Sequence, residues 1–211
     1  MGKINKNTKK LFALLLLVGV VGVVGVFAYF TDKETVTNTF TVGSVAIEFT
    51  EPSWVPDNAL DLLPTETIAK DPTVKNTGNS DAFVFVEVKV PYANVITANE
   101  SGSKNPAADT ELFTYTVNSG WTEIGTASKD TANGVITHVY AYGTGTSMTK
   151  LSKNTSTPAV FDSVTFVNVI EGQGLEGQTK EIECTAKAIQ AANLETKTPT
   201  EILTIFNNQN N

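Results

Sequence analysis

Arginine is absent from this chain: all fifteen basic residues are lysines, against 22 acids. Bidentate recognition of phosphate relies on the guanidinium fork, and the formal charge of −7 repels a polyanion, so nucleic acid is excluded as a partner. Cysteine occurs once, as Cys184. One thiol closes no intramolecular disulfide, so the core alone must hold the fold, and Cys184 reads as a small apolar strand residue. Histidine also occurs once, as His138. A Ser-His-Asp site would have to use it, yet no serine sits in a nucleophile elbow. One histidine and one cysteine cannot supply the H-E-x-x-H cluster of a zinc protease. His138 alternates within an apolar run and is expected on a strand surface. No catalytic residue, metal site or cofactor is expected, and the chain reads as a non-enzyme. Asp57, Asp61 and Asp130 read as turn-forming acids rather than a calcium set, and Trp54 and Trp121 as core or rim rather than a glycan platform.

The N-terminus carries Lys3, Lys6, Lys9 and Lys10 with no acid, then an apolar run from Leu11 to about Phe30. This is the charged and hydrophobic order of a secretory signal peptide, with Val26-Phe27-Ala28 as its cleavage motif. Cut between Ala28 and Tyr29, residues 1–28 leave with four lysines, and the net charge moves from −7 to −11. The run is also long enough to remain as an uncleaved anchor, which would be the chain's sole contact with a membrane. Both alternatives put the rest of the chain outside the cell, secreted or at the surface.

Beyond the export segment, short β-prone runs alternate with turn residues. Val45, Ile47 and Phe49 share a face of a strand over residues 44–50, and a strand over 67–75 is expected to bulge near Pro72. The run Asn76-Thr77-Gly78-Asn79-Ser80-Asp81 is a turn, followed by a strand over 82–90 with Val84, Val86, Val88 and Val90 on one face and a stop at Pro91. Residues 97–110 read as an exposed loop. Further strands are expected over 113–117, 121–124, 135–142, 160–169 and 181–190. Asn133-Gly134 is read as the hairpin turn between 121–124 and 135–142, and a short helix is expected near Thr200-Glu201. Many short strands with little helix predict one antiparallel, jelly-roll-like β-sandwich domain over residues 43–211.

Two stretches carry a family likeness. The first is Ala28-Tyr29-Phe30-Thr31-Asp32 with Asn38-Thr39-Phe40-Thr41-Val42-Gly43-Ser44. The second is Leu62-Leu63-Pro64 with the turn and strand from Val74 to Val84. Ala186–Ala191 adds a last strand. In these the chain resembles the TasA/camelysin family of exported biofilm-matrix proteins; Pro64-Thr65-Glu66 departs from the family's Pro-Gly-Asp. The resemblance implies a jelly-roll subunit of an extracellular fibre, released by a dedicated signal peptidase. It also implies that residues 29–42 donate a strand to the next copy, a homopolymer with room for other matrix proteins. Tyr29, Phe30, Asp32, Val36, Phe40 and Val42 are the positions of that segment, with Phe30, Val36 and Phe40 on one side. An ordinary first strand or leader stays open for the same residues. A monomeric or membrane-tethered adhesin and a camelysin-like metallopeptidase are the other functions carried forward.

Overall fold

The computed structural model describes residues 42–210. The expected export segment, the expected Ala28–Tyr29 cleavage junction and the candidate donor positions Tyr29, Phe30, Asp32, Val36 and Phe40 lie outside the described residues. Eleven strands are present among them: β1 (Ile47–Thr50), β2 (Thr67–Ala69), β3 (Thr73–Asn76), β4 (Ala82–Val95), β5 (Ala108–Glu111), β6 (Phe113–Thr114), β7 (Trp121–Glu123), β8 (Ser128–Asp130), β9 (Val135–Tyr142), β10 (Ser163–Phe166) and β11 (Glu183–Gln190). One helix, α1 (Pro199–Gln209), follows. All strand pairings are antiparallel, as an all-β sandwich requires.

β4 organises the larger layer. It pairs with β11 on one side and β9 on the other, and β7 and β8 both pair with β9. Strict alternation turns Val84, Val86, Val88 and Val90 to the interior, where all four are fully buried. Each such valine contributes roughly 1.5–3 kcal/mol on burial, which makes this row the chief support of the fold. The strand does not stop at Pro91. The Pro91 nitrogen faces the β11 side of β4, where the ladder with β11 ends at Lys89 and β5 takes up residues 92–95. A proline is tolerated where the ladder changes partners, because the N–H it lacks has no claim on it there. β5 therefore occupies the end of the stretch expected as loop.

The second layer is built on residues 67–76 running against 154–166. β2 pairs with β10, which also pairs with β6, and β3 pairs with β1. Backbone bonds continue between the named strands: Lys70 N–H to Asp162 O (3.1 Å), Val160 N–H to Pro72 O (2.9 Å) and Thr157 N–H to Val74 O (2.8 Å). From Pro72 to Val74 one chain advances two residues while the other advances three, from Val160 to Thr157. The bulge expected at Pro72 is thus on the strand opposite it, at Pro158 and Ala159. The Asn133-Gly134 turn joins β8, not β7, to β9.

The outer face of the larger layer is covered as well. Phe83, Phe85, Ala141 and Ile189 point away from the sandwich and pack beneath Ile202 of α1. The helix is capped by Thr198, whose hydroxyl accepts from Glu201 N–H while the Glu201 carboxylate accepts from Thr198 N–H (2.7 Å). This capping box and Pro199 in the first turn set its start one residue before the expected position.

Candidate functional site

His138 lies on the face of β9 that looks into the sandwich, because it stands opposite the buried Val88. The expected surface position is corrected: the side chain is only 15% exposed. Its Nδ1 is 2.7 Å from Glu123 Oε1 on β7, and its Nε2 is 3.1 Å from both carboxylate oxygens of Glu111 at the end of β5. Tyr140, two residues on, stacks beside it, and the Tyr140 hydroxyl shares a 2.9 Å hydrogen bond with Tyr115 from the facing layer. Burial pushes the Tyr140 phenol up to about 12 and the Tyr115 phenol higher still, so the pair stays protonated. The imidazole is a bridge: both nitrogens are engaged, and it ties β5 to β7 across β9.

The other sequence candidates do not assemble into a site. The Asp130 carboxylate accepts from Ala132 N–H, Asn133 N–H and the Asn133 side-chain amide, which holds its pKa below the usual carboxylate value. It serves the β8–β9 turn, whereas Asp57 lies in a single 3-10 turn at Pro56–Ala59. Trp121 is buried, and its indole N–H donates to Pro158 O (3.0 Å). Trp54 sits beneath the Lys70 ammonium, 5.1 Å from the ring centroid. The two tryptophans form no shared platform.

A different feature emerges at the margin of the larger layer. Among the described residues β11 pairs with β4 alone. The ladder runs on into the bond from Ala191 N–H to Asp81 O (2.9 Å), which fixes its phase. Odd-numbered residues of β11 direct their N–H and C=O to β4, and Cys184, Ala186 and Ala188 direct theirs outward. The side chains of those three residues face the interior beside Val88, Val86 and Val84. They are small and only partly buried, so the open edge adjoins a shallow apolar strip. Across from it, β1 places Ile47 and Phe49 against the same core. Glu51, just beyond β1, forms a 2.7 Å ion pair with Lys70. Sequence reasoning found a strand over residues 181–190 but had no signal for which strand would end the sheet.

These features define an all-β sandwich domain with a long sheet edge left uncovered among the described residues. The chain belongs to the camelysin metallo-endopeptidase family, whose family model matches residues 8–118, just over half of its length. Among curated proteins no significant match accompanies that assignment.

A metallo-endopeptidase holds its ion with several side chains converging on one point, in zinc enzymes three ligands and a water. The residues described here do not fit such a group. Glu111 and Glu123 approach opposite nitrogens of His138, so their oxygens diverge from any common centre. Cys184 is separated from His138 by β4, and burial pushes its thiol up to about 12, far from a thiolate ligand. Among the described residues no three His, Cys, Asp or Glu side chains gather to hold an ion. No buried side-chain nitrogen or oxygen there lacks a hydrogen-bond partner that a metal would replace.

Proposed function

We propose that this chain is a secreted structural subunit of an extracellular fibre or biofilm matrix. It polymerises head to tail as residues 29–42 of one copy add a strand to the next. The observation that carries this reading is the outer edge of β11, a row of N–H and C=O groups unpaired among the described residues, beside small side chains that leave room for larger ones. Such an edge is a template for strand addition, and natural proteins rarely leave one bare. The donor segment is β-prone, with Phe30, Val36, Phe40 and Val42 at even spacing to fill that strip. A contact between two different surfaces that does not close on itself propagates as a filament. Export cleavage after Ala28 frees the segment, so an uncleaved chain stays a membrane-tethered monomer. The peptidase reading draws on the family description alone, and chelator-sensitive proteolysis would be its mark.

Electron microscopy of two purified chains tests the proposal. The chain beginning at Tyr29 is expected to form filaments, and a truncation beginning at Gly43 to stay monomeric at the same concentration. Monomers from both, over a range of pH and salt, would leave a surface adhesin as the better reading.

A further inference from the structure

We infer that the donated strand runs antiparallel to β11 and delivers Phe40 and Val42 into a cavity with an apolar floor at the end of the sandwich where β11 begins. This deepens the fibre reading and rests on it.

The two ends of the domain differ. At one end lie Val42, the Asn76–Asp81 turn and the last residues of β11: Ser44 N–H donates to Asn79 Oδ1 (2.6 Å), and Ala191 N–H to Asp81 O (2.9 Å). At the other end lie the starts of β2 and β11. Between the segments leading into them is a cavity of about 420 Å³, floored by Leu112, Phe113 and Phe166. Leu60 and Leu63 form its lip and are 68% and 63% exposed. Among the described residues only four large apolar side chains are exposed: these two, Val55 and Val42, the last at 86%. Exposed leucines on the lip of such a cavity mark a surface that is covered in the assembled state.

The cavity wall is built. The Glu176 carboxylate accepts from Gly172 N–H (2.7 Å) and Gly174 N–H (3.1 Å). The Gln173 side-chain amide donates to Ile96 O (2.8 Å) and Ile170 O (2.9 Å). The loop before β11 is thereby fixed in its curve around the opening.

Direction follows from connectivity. Each copy's own segment leaves its domain at Val42, at the end where β11 finishes. A linear polymer needs the incoming domain at the opposite end, or the two would compete for one place. The incoming strand must then enter with Tyr29 at the Val42 end and finish with Val42 at the cavity end, which is antiparallel to β11. Length agrees: residues 29–42 outnumber the eight residues of β11, so the segment overruns the edge. The overrun carries Phe40 and Val42 past Glu183 to the cavity, and both are apolar and on one side of the strand.

Disulfide trapping tests this, in chains beginning at Tyr29 with Cys184→Ser so that no native thiol interferes. Val42→Cys with Leu63→Cys is expected to give a covalent ladder of multimers on oxidation, and Tyr29→Cys with Leu63→Cys to stay monomeric on a non-reducing gel. Both Val42 and Leu63 are exposed, so neither change disturbs the core. A ladder from the Tyr29 pair, or fibres that yield no ladder from the Val42 pair, overturns the inference. So does an intrachain link in the Val42 pair, seen as a faster-moving monomer, because the cavity would then be filled by its own chain. If the unsubstituted chain forms no fibres, the fibre reading itself fails, and microscopy separates that result from the others.

Discussion

Cys184 and Val88 stand opposite each other in the β11–β4 ladder, and among the described residues only Val88 has a strand on its other side. Continuing the row, Val88 meets His138 on β9. One line of three residues thus runs from the open edge of the sheet to its half-buried histidine. The row is satisfied at its inner end and open at its outer end.

That asymmetry is readable by amide hydrogen exchange. In the chain beginning at Gly43, the amides of Cys184, Ala186 and Ala188 are expected to exchange much faster than those of Thr185, Lys187 and Ile189, which bond to β4. In filaments of the chain beginning at Tyr29 the alternation disappears as the outward set becomes protected. Alternation that persists in filaments would place assembly elsewhere.

Proline scanning separates the edge from the fold. Ala186→Pro removes an N–H that points away from β4, so the monomer keeps its ladder while filament growth is lost. Lys187→Pro removes a ladder donor and strands the carbonyl opposite it, which costs about 1–3 kcal/mol in urea unfolding. Normal filaments from Ala186→Pro would argue against β11 as the acceptor.

The His138 bridge is assigned to stability. His138→Ala leaves the half-buried Glu111 and the exposed Glu123 without their shared partner, and is expected to cost about 1–3 kcal/mol, chiefly at Glu111. Filament formation by the folded variant should be unchanged. An unaltered unfolding midpoint combined with lost assembly would reassign the cluster to the interface.

Acid loosens the helix. The Thr198 backbone N–H, chiefly, and its hydroxyl hold the Glu201 carboxylate below its ordinary value of 4.5. A depressed folded-state value means the cap contributes fully above about pH 4.5 and is lost as pH falls through the lowered value. Helical circular dichroism should decline in that acid range, and Glu201→Gln should flatten the decline. A Glu201→Gln profile identical to the parent's would remove the cap as its cause.

Much of the architecture was legible because the strands alternate strongly. The valine row of β4, the turn before it, β9, β11 and the C-terminal helix all fall where the pattern puts them. The inward turn of His138 was not legible, for a physical reason. Residues 135–142 are apolar on both faces, one meeting the sandwich core and the other lying on the side covered by α1, so a period of two names the faces without telling them apart. The run past Pro91 was hidden likewise, since a proline's effect depends on whether the ladder needs its N–H. The open edge has no sequence signature at all: Cys184, Ala186 and Ala188 would read the same with a strand beside them.

The helix on Phe83 and Phe85 has a consequence for the shape of any aggregate. With those rings bare, the larger layer would present a flat greasy surface, and copies would stack sheet upon sheet into ribbons or clumps. Sealed by α1, that direction is closed, and among the described strands β11 is left as the long free margin. If copies add along β11 as proposed, growth is confined to a single dimension, and the far end of the chain governs the thickness of what the near end builds.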